Sequence, residues 1–441
     1  MLLGHVRRSS SRALAAAMAT PFPSSPEQLT PSWLTDVLRR SGGISASSHV
    51  RCAPLRVAVK RAEASPRRRS SFDATPLGVG VGLASLMQRL RVHVRTGGGG
   101  GASTLSLVGK WPPHAGPARD VAARLGSFSR EAGFYGAAAS DTSPPLPSAV
   151  VHFASFEPSS GSACLLFEDL ASFTPGDQVA GASPKVASAV VADVASLHAR
   201  FWGDARLTTD WAPWLPSLGS DTMLSFDAAG FDALWPGFKA QQPAAASRLP
   251  PQCLAALDAG CFHGAAAALL ARLGAAPATL CHGDLRLDNV MYRQSTRSDG
   301  NTEPAEPVQR GASSSGVGTD EFSGLERRYI DLGDCVSGRG AFDVAYFLSM
   351  SLPSPLRSAM ERPLIADYTA RLAAGGVEGY GEVEAWEDYR CGVAYSLALA
   401  VGLGGDPHLG VAPKRRQLLA AAVAQRAVDA LIGTGAEALL R

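Results

Sequence analysis

Apolar positions along this chain follow two rhythms, and the change between them divides it. From Val50 to Lys60, Leu86 to Val94 and Leu105 to Lys110, apolar and polar residues alternate with the period of half-buried strands. Two loops interrupt the runs: Leu77-Gly78-Val79-Gly80-Val81-Gly82-Leu83 and the glycine run from Gly97 to Gly101. Strand, glycine loop, strand, loop, strand is the order of an antiparallel meander, not of a βαβ unit. Gly78, Gly80 and Gly82 are therefore read as a hairpin whose backbone N–H groups approach phosphates, not as a dinucleotide fingerprint.

Helical spacing fills the other segments. Thr30 to Leu38 has Thr30 as N-cap, Pro31 in the first turn, and Trp33, Leu34, Val37 and Leu38 on one face. Ala118 to Ala139 is predicted as a single helix with Val121, Leu125, Phe128, Ala132 and Tyr135 along its apolar stripe. Ser183 to Trp202 reads as a long helix on which His198 is a hydrogen-bonded core histidine. Between them, the apolar strand Ser162 to Phe167 ends in Glu168-Asp169-Leu170, where the composition turns helical. The boundary between an N-terminal unit, residues 27–169, and a C-terminal unit, residues 170–441, is placed there. Residues 293–327, rich in Ser, Gly, Thr, Glu and Pro, are expected to form a disordered insertion at a hairpin tip.

The chemistry concentrates in a few polar residues beside strands. Cys281 to Asn289 spells C-H-G-D-L-R-L-D-N, and a later strand ends in Ile330-Asp331. In this order Asp284 is suited to accept a hydroxyl proton, while Asn289 and Asp331 are suited to hold Mg2+ against ATP phosphates. Glu131 flanks the buried stripe of its helix, and a carboxylate there needs a cation. Lys110, on the same strand face as Val108, is its natural partner. Val57-Ala58-Val59-Lys60 imitates the lysine strand of protein kinases but precedes the glycine loop, so Lys110 is preferred as the phosphate lysine. The backbone at Glu168 and Leu170 is suited to offer a carbonyl and an N–H to an adenine edge. Asp343, opening an apolar helix, is read as structural.

Composition narrows the partners. The 441 residues carry a formal net charge of +2, which argues against nucleic acid or an anionic membrane. No apolar stretch reaches the ~18 residues needed to span a bilayer. The seven cysteines are scattered with no C-x-x-C, which favours reduced thiols over disulfides or zinc. Residues 1–26 contain Arg7, Arg8 and Arg12 and no acidic residue. That segment is expected to be a disordered extension of a cytoplasmic protein or a transit peptide for a mitochondrion or chloroplast. Nothing in the sequence speaks to oligomeric state.

Several of these segments together carry a family resemblance. They are P-E-Q-L-T-P-S-W-L at 26–34, S-R-E-A-G-F-Y at 129–135, L-L-F-E-D-L at 165–170, L-H-A-R-F-W at 197–202 and L-C-H-G-D-L-R-L-D-N-V-M-Y at 280–292, followed by Y-I-D-L and F-D-V-A-Y-F-L. With them the chain resembles the aminoglycoside phosphotransferase and choline kinase superfamily, nearest the ecdysteroid-kinase-like (CHK kinase-like) branch. The resemblance implies an α+β, bilobal, protein-kinase-like fold, with an antiparallel-sheet N-lobe, a larger helical C-lobe and ATP in the cleft. It assigns Asp284 as catalytic base, Asn289 and Asp331 as magnesium ligands, and Lys110 paired with Glu131 as the phosphate lysine. The acceptor would be a small-molecule hydroxyl; steroid, choline-like, sugar and antibiotic compounds all fit.

The chain departs from the family pattern at Leu332, where an aromatic is expected, at Asp334, where Gln or Glu is frequent, and at Arg286, which is suited to contact the transferred phosphoryl group. The alternatives are a protein kinase and a catalytically inactive nucleotide-binding pseudokinase. Against the first, the loop reads H-G-D rather than H-R-D and no A-P-E element follows.

Overall fold

The computed structural model describes residues 21–50, 72–77, 85–96, 102–138, 146–294 and 324–441. Gly78, Gly80, Gly82 and Lys60 lie outside the described residues. Helix α1 (Pro31–Arg40) begins as its sequence dictates: the Thr30 hydroxyl accepts the Trp33 backbone N–H at 3.2 Å, and Pro31 occupies the first turn, where no N–H is needed.

The N-lobe is a curled antiparallel sheet. Its strands are β1 (Ser48–Val50), β2 (Phe72–Leu77), β3 (Leu86–Thr96), β4 (Ala102–Trp111), β5 (Val151–Glu157) and β6 (Ser162–Glu168), in the order β1-β3-β4-β6-β5 with β2 also paired to β3. Alternation along β4 sorts its side chains by face. Leu107 and Trp111 join Leu34, Val37 and Leu38 of α1 in one apolar cluster, whereas Val108 joins the main core. Lys110, on the Val108 side, pairs with Met87 and Leu165 in the middle of the sheet.

The single helix expected over 118–139 is two. Helix α2 (Pro117–Leu125) stops at Gly126, whose left-handed φ of 68° caps it, and α3 (Ser127–Ala138) restarts at once. Glycine takes that conformation without a Cβ penalty, so the apolar stripe continues across a real break.

The C-lobe holds α4 (Pro184–Arg200), α5 (Asp221–Gln241), α6 (Pro243–Ala246), α7 (Pro251–Asp258), α8 (Phe262–Leu273), α9 (Ala341–Ser351), α10 (Ser354–Ala374), α11 (Glu382–Gly404) and α12 (Lys414–Gly433). Two short antiparallel pieces carry the polar loops. One orders β7 (Thr174–Pro175), β9 (Val290–Gln294) and β10 (Leu325–Tyr329); the other pairs β8 (Thr279–Cys281) with β11 (Val336–Gly338). Arg293, Gln294 and Leu325 to Arg327, part of the stretch expected to be disordered, belong to β9 and β10, where Gln294 faces Leu325. No single helix among the described residues is long and apolar enough to cross a membrane.

Candidate active site

The β9–β10 hairpin sets the spacing of two predicted site residues. Val290 faces Tyr329, and the Ile330 N–H donates to the Asn289 carbonyl at 3.1 Å. Asn289 and Asp331 therefore flank the same hairpin end, although 295–323 separates the strands in sequence. Asp331 has φ 64° and ψ 59°, the left-handed region, and is alone among described non-glycine residues in having positive φ. For a residue with a Cβ this costs about 1–2 kcal/mol, so surrounding contacts must hold it.

Lys110 supplies one of them. Its Nζ lies 2.8 Å from Asp331 Oδ1 and 2.7 Å from Glu131 Oε2. The Lys110 and Glu131 side chains are buried, while the Asp331 carboxylate is half exposed. Burial alone would lower the Lys110 pKa; Asp331 and then Glu131 more than reverse this, and the ammonium is held above its ordinary range. Lys110 in turn is the main cause that holds Asp331 at about 2. Burial pushes Glu131 up, and Lys110 pulls it back. The lysine from the sheet, the glutamate from α3 and the aspartate after β10 thus form one charged cluster across the lobes.

Asp284 sits in the loop after β8. Its backbone position is fixed by Asp343, which is fully buried in the first turn of α9. Asp343 Oδ2 accepts the His282 N–H at 2.7 Å and Oδ1 accepts the Gly283 N–H at 3.0 Å. His198 Nε2 lies 3.2 Å from the same carboxylate, with its Nδ1 2.9 Å from the Tyr368 hydroxyl. His198, Cys281 and Asp343 are grouped closely enough to suggest a metal triad. The imidazole and carboxylate are already saturated by these bonds, as expected of a core network. Gly283 has φ 83°, and a Cβ there would stand 1.8 Å from the Asp334 carbonyl oxygen, so the H-G-D glycine is required by both conformation and space.

The Asp284 carboxylate is oriented by three donors. Oδ1 accepts the Tyr346 hydroxyl at 2.5 Å; Oδ2 accepts Asn289 Nδ2 at 2.9 Å and Arg286 Nε at 3.0 Å. Asn289 Nδ2 also donates to the Asp284 carbonyl at 2.9 Å, so the nitrogen of this amide is committed and its oxygen is the atom that could hold a metal. Arg286, considered for phosphoryl contact, is here the ion-pair partner of Asp284, whose charge raises the guanidinium pKa.

At the other end of the cleft, Glu168 closes β6 with its side chain accepting the Val150 N–H at 2.9 Å, and Leu170 is buried in the core. Between them, Asp169 binds Arg89 Nε at 2.7 Å and the Ser106 hydroxyl at 2.6 Å, tying the inter-lobe connection to β3 and β4.

Sequence reasoning missed Tyr346, Asp169 and the pairing of Arg130 with this region. Tyr346 lies three residues after Asp343 on one helical face, the one signal that could have found it. A cavity of about 130 Å³ opens beside Asp284, between the lobes, and Arg130, Asp334 and Tyr346 are among its walls. Asp334 is pushed up to about 7, chiefly by burial and then by the charges of Asp284 and Asp331, with Arg130 acting in the opposite direction.

Residues 83–300 match the model of the phosphotransferase enzyme family, a span that runs from just before β3 through the Asp284 loop. The matched span covers just under half of the chain, which is to that extent similar to this family, and the mixed α+β architecture of an antiparallel sheet with a mostly helical remainder agrees with it. The match is to the broad family and does not single out the ecdysteroid-kinase-like branch. Among solved structures, a candidate aminoglycoside phosphotransferase from Ralstonia eutropha aligns with 85% of this chain and 94% of its own, at 15% identity and a TM-score of 0.45. A choline/ethanolamine kinase family protein from Mesorhizobium loti aligns over 82% and 92%, at 14% identity and a TM-score of 0.37. A Plasmodium vivax ethanolamine kinase aligns over 99% and 94%, at 10% identity and a TM-score of 0.37. No curated protein matches the chain.

Proposed function

We propose that this protein transfers the γ-phosphoryl group of ATP to a hydroxyl of a small molecule, with Asp284 as the base. The observation that carries the reading is the Asp284 carboxylate, fixed by Tyr346, Asn289 and Arg286 at the edge of a cavity and close to the Lys110–Asp331 cluster. The acceptor oxygen forms a bond to the γ-phosphorus as the bond from that phosphorus to the β–γ bridging oxygen breaks, which leaves ADP. The hydroxyl proton passes to Asp284. Lys110 holds the phosphates, and the backbone at Glu168 and Leu170 receives the adenine edge.

Asn289 and Asp331 would hold magnesium, and their carbonyl and carboxylate oxygens are the hard donors that ion takes. When bound, the ion supplies neutralisation of phosphate charge. The protein's own contribution is orientation: Tyr346 and Asn289 fix the base, and Glu131 fixes Lys110.

A protein kinase is the weaker reading. Asp331 is followed by one 3₁₀ turn, Leu332–Asp334, then β11 and α9 starting at Ala341. So short a connection leaves no segment to carry a peptide substrate. The test is an ATP-consumption screen over hydroxyl metabolites with mass detection of the phosphorylated product. Asp284→Ala should lower turnover ~10²–10⁴-fold with ATP binding retained; near-normal turnover in this variant refutes the assignment.

A further inference from the structure

The proposed activity leaves the acceptor open, and the cavity beside Asp284 bears on it. Its wall is mostly apolar: Leu218, Met223, Val336, Phe342, Tyr395 and Leu399 line it, contributed by both flanks of β11 and by α5, α9 and α11. Phe342 packs edge-on to Tyr346 at 6.3 Å and lies 5.9 Å from Tyr395, so the aromatic part is already assembled. The carboxylate at the reacting end already has a cation: Arg286 neutralises Asp284 at 3.0 Å.

Resting on the kinase reading above, we infer that the acceptor is an uncharged alcohol whose hydroxyl meets Asp284 and whose body is predominantly apolar. An amino sugar or polyamine would bury several ammonium groups here, where Asp284 already has a guanidinium partner, and an unpaired buried charge is strongly disfavoured. A polyol would set part of its hydroxyl groups against the side formed by Leu218, Met223, Phe342 and Leu399, which offers no side-chain oxygen or nitrogen, at a cost for each one left unbonded. An apolar body gains from the same wall with no such cost, because pockets of this kind bind through apolar contact and take orientation from a few polar groups. Here Asp284 is the group that orients.

The experiment uses the full chain with ATP and magnesium and five probes: 2-phenylethanol, cyclohexanol, choline, glucose and kanamycin. Binding of each is also followed by saturation-transfer NMR with a non-hydrolysable ATP analogue. Expected are a kcat/KM for the two apolar alcohols at least tenfold above the other three and the same order in binding. Leu399 is only half-buried, so Leu399→Asp should fold; it should weaken 2-phenylethanol binding about tenfold and leave ATP binding unchanged. Apolar alcohols that bind and respond to Leu399→Asp but are never phosphorylated would support the pocket assignment and overturn the kinase reading. Preference for choline, glucose or kanamycin, or failure of both apolar alcohols to bind, overturns the inference while any phosphorylated probe leaves the kinase reading standing.

Discussion

The Tyr346 hydroxyl donates to Asp284 Oδ1 at 2.5 Å, joining the first turns of α9 to the loop that follows β8. Asp343, three residues earlier on the same helix, binds the backbone N–H groups of His282 and Gly283. One rigid helix therefore grips the loop twice, by its backbone and by the Asp284 carboxylate. Such support from a packed element would keep the proposed base within the small tolerance that proton transfer demands.

Tyr346→Phe removes one grip and leaves the ring in place. Asp284 retains Asn289 and Arg286, so the loop stays folded, but the carboxylate gains rotational freedom. We expect kcat to fall about 10- to 100-fold while the KM for ATP stays within a factor of two or so. Steady-state kinetics of the two variants Tyr346→Phe and Asp284→Ala decides the matter. Equal losses in both would mean that Tyr346 does more than orient the base.

Lys110 and Glu131 are a buried pair. Lys110→Met would leave the Glu131 carboxylate in an apolar setting with no cation, and breaking such a pair costs about 3–5 kcal/mol. Lys110→Met/Glu131→Leu removes both charges and should recover most of that loss in urea unfolding. On the proposed role of Lys110 in holding the phosphates, ATP binding should be lost in both variants. Recovery of ATP binding in the double variant would remove Lys110 from the phosphate site.

Much of this was legible in the chain because its constraints are local. Alternation marks β3 and β4, and the spacing within H-G-D-x-x-x-x-N is fixed by one loop. What was hidden depends on partners far away in sequence. Glu382, Glu384, Glu387 and Asp388 look alike along α11, yet Asp388 is 1% exposed and bonded to Arg272 at 2.8 Å and to the Tyr380 hydroxyl at 2.9 Å. Tyr346 is equally plain in an apolar string until the fold sets it against Asp284. The break at Gly126 escaped notice because an unbroken apolar stripe outweighs a lone glycine in any windowed reading.

Gly283 tolerates no side chain. Alanine there would adopt an unfavourable φ and also meet the Asp334 carbonyl oxygen, so the loop must move. Gly283→Ala should destabilise by more than ~1 kcal/mol and lower turnover at least as far as Tyr346→Phe does. A folded, fully active Gly283→Ala protein would show that the loop geometry is not what positions the base.

The acid groups of the cleft make stability of the metal-free protein depend on pH in two opposed ways. Asp331 is held at about 2 by Lys110, below the ordinary carboxylate value, so its contribution is present above pH ~4 and is lost as the pH falls towards 2. Asp334 is raised to about 7, so the folded state prefers it protonated; that contribution is complete below pH ~4 and fades as the pH rises through 7. Denaturant midpoints measured in chelator from pH 3 to 8 should therefore decline along the upper limb for the wild type. Asp334→Asn keeps the shape without a titrating proton and should flatten that limb, whereas Asp331→Asn should weaken the acid limb. An upper limb unchanged by Asp334→Asn would place the titrating group elsewhere and would mean that Asp334 is ionised in the folded cleft.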